Sequence, residues 1–255
     1  MLPSENLNKL IDMWKEITIK ECNYENEIAN MKTVRELIAD EQIIIPKTYD
    51  DFSTSEIITM DKISGLRFED FLYRSTQDEK DHIGKLIMSS YLRLLQKKYF
   101  RADVHQGNYM IVGNKLAMID LAHLIGPEEL KETYFLEFLE AIIANNTTAV
   151  REVLEKERWQ NAQSVTDETI DEIIRTFSKP YQGNHFQFTP DYARKIFNFS
   201  VGREMSGLRL PQTARPSMRF FWSVYGLLGK LGATNNWKEL VEAVSSNNRA
   251  NPPPN

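Results

Sequence analysis

The sequence predicts an α+β protein that is predominantly helical, with a single β-hairpin carrying the chemistry. Three observations lead to that class. Apolar residues recur at helical spacing through most of the 255 residues. A Gly113-Asn114 turn separates two short apolar runs, 109–112 and 116–119, which reads as a hairpin. An acid, an amide and a second acid (Asp103, Asn108 and Asp120) bracket that hairpin.

The elements follow in order. Residues 6–40 carry helical periodicity, broken near 18–23 into two helices. In the second, Tyr24, Ile28, Met31, Leu37 and Ile38 fall on or beside one face. Pro46 makes 43–49 an extended segment. Residues 55–60 read as a short strand running into a hinge, Asp61-Lys62-Ile63-Ser64-Gly65. Thr76 and Glu79 form a capping box that opens a long helix through Lys98, with Ile83, Leu86, Ile87, Leu94 and Leu95 as its stripe. After the hairpin, helices are expected over 130–144, 147–158, 167–177, 191–205, 217–231 and 236–244, with a Pro-containing connection at 210–216. The tail 246–255 ends Asn-Pro-Pro-Pro-Asn and is expected to be disordered.

Composition narrows the partners. At 42% hydrophobic and 26% charged, the chain has the make-up of a soluble globular protein. A net charge of −5 argues against a nucleic acid held by its phosphates. One cysteine, Cys22, leaves no internal disulfide and no cysteine metal cluster. The N-terminus has no basic region followed by an apolar core, so no signal peptide is expected, and no stretch approaches the ~20 apolar residues of a membrane span. The expected location is cytoplasmic. Residues 220–231 read as a buried helix, with peripheral contact at a membrane as the alternative.

The hairpin's spacing suggests its chemistry. With the turn centred on Asn114, Asn108 lies six residues before and Asp120 six after, so both side chains end at the open mouth. Facing positions hold Cβ atoms roughly 5 Å apart, close enough for an amide and a carboxylate to share one divalent cation. Asp103, in the loop just before, is placed to take a proton from an attacking hydroxyl. A base, a metal-binding Asn and a metal-binding Asp make the catalytic half of a kinase-like phosphotransferase. The expected fold is therefore a protein-kinase-like C-lobe with a truncated N-lobe of C-helix and two short strands. The division is 1–60 for the partial N-lobe, 61–245 for the helical C-lobe and 246–255 for the tail.

Longer motifs sharpen this. Glu21-Cys22-Asn23-Tyr24-Glu25-Asn26-Glu27-Ile28-Ala29-Asn30 resembles the Glu-x-Asp…Glu-Ala-x-Asn helix of the UbiB/AarF family of atypical protein-kinase-like proteins, associated with ubiquinone biosynthesis. Ile45-Pro46-Lys47-Thr48-Tyr49 is similar to its Val-Pro-x-Val-Tyr segment, and Met60-Asp61-Lys62-Ile63-Ser64-Gly65 to its hinge. Phe100-Arg101-Ala102-Asp103-Val104-His105-Gln106-Gly107-Asn108 resembles Phe-His-Ala-Asp-Pro-His-Pro-Gly-Asn, the most specific match. Met118-Ile119-Asp120-Leu121-Ala122 stands where the family has a metal-binding Asp-Phe-Gly, and 220–231 with Asn235-Asn236 resembles its C-terminal helix. The resemblance implies Mg²⁺ and ATP as cofactors. It makes Asp103 the catalytic-loop acid, Asn108 and Asp120 the Mg²⁺ ligands, and Glu27 the glutamate that orients a phosphate-anchoring lysine. The backbone around Met60, Asp61 and Lys62 would line the adenine site. Implied partners are the nucleotide and an isoprenoid quinone precursor or a quinone-biosynthesis protein.

The departures are informative. The family's Lys-x-Gly-Gln extension, Ala-rich nucleotide loop and strand lysine all precede the C-helix, and the chain is expected to start after them. Asn23 stands for the Asp of Glu-x-Asp, Arg101 for the loop's first His, and Leu121-Ala122 for Phe-Gly. Loss of a positioned charge-stabilising group slows phosphoryl transfer on the order of 10³-fold or more. Weak or absent catalysis is thus expected unless another polypeptide supplies the missing strands. Two other readings stay open: a non-catalytic pseudokinase scaffold or truncated product, and a small-molecule phosphotransferase of the aminoglycoside- or choline-kinase sort, whose loops also carry Asp-x-His-x-x-Asn. Among single residues, His105 reads as a structural hydrogen bonder. Arg101 reads as a partner of the hairpin backbone or of Asp120. His82, His123 and His185 read as surface residues.

Overall fold

The computed structural model describes residues 23–101, 103–128, 130, 134–159, 162–201 and 215–250. In chain order the elements are α1 (Tyr24–Ile38), β1 (Ile43–Ile44), β2 (Leu66–Arg67), α2 (Phe68–Arg74), α3 (Gln77–Gln96), β3 (Phe100–Arg101), β4 (Tyr109–Val112), β5 (Lys115–Met118), β6 (Leu124–Ile125), α4 (Phe135–Ile143), α5 (Thr147–Lys156), α6 (Asp167–Phe177), β7 (Phe186–Gln187), α7 (Pro190–Val201), α8 (Arg215–Leu231), β8 (Thr234–Asn235) and α9 (Trp237–Ala250). The expected α+β, predominantly helical, kinase-like class holds.

Helix α3 is the axis. Thr76 accepts from the Glu79 N–H while the Glu79 carboxylate accepts from the Thr76 N–H at 2.8 Å, the reciprocal cap its sequence announces. Its apolar stripe is buried against α1 on one side and α8 and α9 on the other. Thr234 N–H donates to the Asp81 carboxylate at 2.8 Å and Asn235 Nδ2 to the Asp81 carbonyl at 2.8 Å, so the C-terminal helices are pinned back onto α3. Around α8 the core is aromatic. Phe220 packs on Phe135 and Phe221 on Phe177, both with ring centroids 4.7 Å apart. Burial of Phe220, Phe221, Val224, Tyr225, Leu228 and Leu231 makes 220–231 a core helix. Among the described residues no helix is long and apolar enough to cross a membrane.

One four-stranded sheet, in the order β1-β5-β4-β2, sits where α3 delivers the chain. Residues 43–44, the start of the expected extended segment, pair in parallel with β5, Ile43 opposite Leu116 and Ile44 opposite Ala117. The edge of β5 offers unpaired backbone groups, and two isoleucines cover it. The 55–60 segment is not a continuous strand. Only Met60 bridges, to Thr48, and Thr54 N–H closes a turn on the Ile57 carbonyl at 2.8 Å.

Other boundaries move by a few residues. Helix α4 begins at Phe135 rather than 130, because Tyr134 is non-helical (φ −111°, ψ 36°). Helix α7 ends its described run at Val201, while 202–214, with most of the Pro-containing connection, lie outside the described residues. Helix α9 runs to Ala250, five residues into the segment expected to be disordered. Its N-cap, Asn236, accepts from the Glu239 N–H at 3.1 Å. The first expected helix, with Glu21 and Cys22, lies outside the described residues, as do 251–255.

Candidate active site at the hairpin mouth

The hairpin forms as its turn residues dictate, with Gly113 at φ 60°. Its register is one residue off the symmetric expectation. Tyr109 faces Met118 and Val112 faces Lys115, so the two-residue turn is Gly113-Asn114 and not a loop centred on Asn114. Asn108 is therefore level with Ile119, whose N–H donates to the Asn108 carbonyl at 3.0 Å, and Asp120 stands one position further out. Because β5 ends at Met118, strand alternation does not set the direction of Asp120. Local contacts do: its Oδ1 accepts the Ala122 N–H at 3.1 Å.

Arg101 gathers the site. Only 1% exposed, it places Nη2 2.7 Å from the Asp120 carbonyl and 3.4 Å from the Asp103 carbonyl, and Nη1 3.0 Å from the Tyr109 hydroxyl. The Tyr109 hydroxyl lies 3.0 Å from that of Tyr91, itself fully buried. The guanidinium thus bridges the loop before the hairpin to the segment after it, through carbonyls and not carboxylates, and the Asp120 carboxylate stays clear of it. Burial by itself would lower the Arg101 pKa. The facing Tyr109 and Tyr91 hydroxyls and the charges of Asp120 and Asp103 raise it above the ordinary value, so the cation persists.

Asn108, 2% exposed, donates from Nδ2 to the Asp103 carbonyl at 3.4 Å. His105 accepts the Gly107 N–H on Nδ1 at 3.0 Å, which leaves Nε2 facing the Asp103 carboxylate at 3.5 Å. A Cβ on residue 107 would lie 2.8 Å from His105 Cε1, so glycine is what lets the ring fold over the loop. This is the structural role expected of His105. Gln106, standing where the resemblance has proline, accepts from Lys230 Nζ at 2.6 Å and donates to Glu69, tying the loop to α8 and α2.

Helix α1 closes the back of the site. Glu27 Oε1 accepts the Leu121 N–H at 3.4 Å, and Asn30 Nδ2 donates to the carbonyls of Leu121 at 2.9 Å and Ala122 at 3.2 Å. Burial, then the charge of Asp120, pushes the Glu27 carboxyl up, with the Leu121 N–H acting the other way. Asn30 was quoted in a motif but not singled out. Its position three residues after Glu27, on the same helix face, was the available signal.

The hinge residues form a separate frame. Asp61 N–H donates to the Lys47 carbonyl at 2.9 Å, and its carboxylate accepts the Lys47 N–H at 3.2 Å and the Tyr49 hydroxyl at 2.8 Å. Met60 and Lys62 are exposed. No hydrogen bond found among the described residues joins Met60, Asp61 or Lys62 to Asp103, Asn108 or Asp120. His82 Nε2 lies 2.9 Å from the Asn114 carbonyl at the hairpin turn.

With this geometry in hand, residues 1–154 match the ABC1 atypical kinase-like domain. The chain belongs to the ABC1 atypical kinase family. This is the UbiB/AarF grouping to which the motifs pointed. Atypical kinase COQ8, mitochondrial, of Saccharomyces cerevisiae is 22% identical over 239 residues, which is 88% of this chain and 47% of that protein. Protein ACTIVITY OF BC1 COMPLEX KINASE 3, chloroplastic, of Arabidopsis thaliana is 29% identical over 127 residues, 48% of this chain and 18% of that protein. The chain thus spans less than half the length of either relative. Among solved structures, the Rv3197–erythromycin complex from Mycobacterium tuberculosis superposes with a TM-score of 0.76 at 22% identity, covering 96% of this chain and 63% of that one.

The ABC1 hairpin mouth fits a divalent cation on chemical grounds. With Nδ2 donating inward, Asn108 keeps its carbonyl oxygen without a hydrogen bond among the described residues. Asp120 likewise keeps Oδ2. One amide oxygen and one carboxylate suit Mg²⁺, which retains waters and phosphate oxygens around a few protein ligands. No group of three His, Cys, Asp or Glu able to hold a metal occurs among the described residues.

Proposed function

We propose that this ABC1-family chain carries the cation-and-base half of a Mg²⁺-ATP site and serves an atypical kinase or ATPase in isoprenoid quinone (ubiquinone) biosynthesis. The observation that carries the reading is the Arg101 fork, which draws the Asp103 and Asp120 backbones together across the hairpin mouth. In this reading Asn108 and Asp120 hold Mg²⁺, whose charge offsets that of the phosphates. Asp103, with its side chain 48% exposed, faces the cleft and accepts the proton of the attacking hydroxyl, while His105 Nε2 orients its carboxylate. The backbone of Met60, Asp61 and Lys62 offers the adenine edge, and Glu27 awaits the phosphate-anchoring lysine. That lysine would come from a segment preceding the C-helix, and without it ATP turnover is expected to be slow or absent. The substrate side is an isoprenoid quinone precursor or a protein of that pathway.

A second reading, a pseudokinase scaffold, draws support from Arg101 and from Leu121-Ala122 in the positions of His and Phe-Gly. The test is thermal stability against Mg²⁺-ATP in wild type and Asp120→Ala. A ligand at 100 times its Kd adds about 2.7 kcal/mol. We expect a shift in wild type that Asp120→Ala abolishes. No shift in either protein would leave the scaffold reading. Turnover with amino sugars or choline would favour a small-molecule phosphotransferase instead.

A further inference from the structure

From Met218 onward, helix α8 buries all but one strip. The residues that keep contact with water are Arg219, Trp222, Ser223, Gly226 and Lys230. At about 100° per residue they fall within roughly 100° of one another, so they share one outward face. From α7, Phe197 sets its ring edge-on to Trp222 with centroids 5.3 Å apart, and it is 45% exposed. Two aromatic rings from neighbouring helices thus stand at one end of the strip.

Gly226 lies in the middle of it. On the buried side of the same helix Gly229 is required by packing, because a Cβ there would lie 2.9 Å from the Thr189 carbonyl oxygen. Gly226 has no such neighbour: a Cβ there would meet nothing within 4 Å among the described residues. Glycine inside a helix is less stable than alanine, so its place on an open face points to a close approach from outside.

The other end of the strip reaches the candidate active site. Lys230, one turn beyond Gly226, donates from Nζ to Gln106 Oε1 at 2.6 Å, and Gln106 lies between Asp103 and Asn108. From Trp222 to Lys230 the helix rises about 12 Å. One side chain wide, the strip offers about 100 Å², against roughly 800 Å² per partner in a stable protein interface. A track so narrow, aromatic at one end and beside the catalytic loop at the other, suits a linear apolar chain with a polar head.

We propose that the outer face of α8 is the tail groove for a lipid-type acceptor. Its hydroxyl head lies at Asp103, its apolar chain crosses Gly226, and the chain's end packs on Trp222 and Phe197. The acceptor role rests on the nucleotide reading above, whereas the groove can be tested without nucleotide.

Isothermal titration of the full chain with farnesol, an isoprenoid alcohol, kept below its aggregation limit, is the test. Wild type should bind it, and isopentenol, with the same hydroxyl head and a single isoprene unit, should bind about ten-fold more weakly. Gly226→Gln puts a polar side chain into the groove without striking the fold. It should weaken farnesol binding about ten-fold while Mg²⁺-ATP shifts the thermal midpoint as in wild type, and Trp222→Ala should weaken farnesol binding as well. No farnesol binding in wild type would overturn the proposal. So would unchanged affinity in Gly226→Gln, or binding seen only with anionic lipid vesicles. Farnesol binding that Gly226→Gln abolishes, in a protein with no Mg²⁺-ATP shift, would uphold the groove and overturn only the nucleotide reading.

Discussion

Arg101 sits in the core of the site with no carboxylate against it among the described residues, and its three hydrogen bonds go to two carbonyls and a phenol. A residue of this kind organises backbone. Its removal orphans acceptors that water does not reach. Arg101→Leu is expected to lose about 1–3 kcal/mol for each orphaned acceptor, read by urea unfolding. Arg101→Lys should recover little, because an ammonium lacks the fork that spans the Asp103 and Asp120 carbonyls. The sequence flagged this position as a departure from His and named the hairpin backbone or Asp120 as its partner. Which oxygen it takes depends on the loop's path, which no local pattern encodes. Asn30 was legible in the same partial way: its helix face follows from its spacing to Glu27, but its partners, 91 and 92 residues further on, do not.

At the scale of elements, the close approaches are where the fold is least tolerant. A Cβ at Gly65 would lie 2.5 Å from the Ile111 carbonyl oxygen, so the end of the hinge is pressed on β4 backbone that cannot yield. Gly65→Ala should therefore cost about 1–3 kcal/mol by overpacking, measured in the same way. The junction of α5 and α4 offers a pH test. Glu157 accepts the Trp159 indole N–H at 3.0 Å and the Tyr134 N–H at 3.0 Å, yet burial raises its carboxyl above the ordinary 4.5 despite both bonds. The folded chain then binds that proton more tightly than the unfolded one, so stability falls as pH rises from about 4.5 through the raised native value. Glu157→Gln should flatten that decline, and parallel pH profiles that never converge or diverge across this window would count against it. Helices with caps and long stripes were readable in advance: α6 ends where its pattern does, and the α3 cap is the one its residues spell. The two-residue strands β2, β3, β6, β7 and β8 were not, since two residues carry no periodicity.

Across the whole molecule, stability rests on the aromatic cluster that joins α4, α6 and α8. Phe221 is wholly buried and packs against the rings of Phe135, Phe138, Phe177, Phe220 and Tyr225. Phe221→Ala should cost about 3–5 kcal/mol by opening a cavity, with the calorimetric midpoint falling by about 10 °C. The hairpin mouth lies outside that cluster, so Asp120→Ala should leave the stability of the free chain near wild type while removing the Mg²⁺-ATP shift. By itself the sequence determined the features written in neighbouring residues: most helix spans and caps, the hairpin with its turn, and the motifs whose resemblance pointed to the UbiB/AarF family. Only the tertiary structure decided that β1 lies parallel to β5, that the hairpin register runs one residue off symmetry, and that α1 grips Leu121 through Glu27 and Asn30. Periodicity and turn chemistry act over a few residues and leave a trace in the chain. Pairings between short segments far apart are selected by which backbone groups remain unpaired once the helices have packed, and that becomes determinate only in three dimensions.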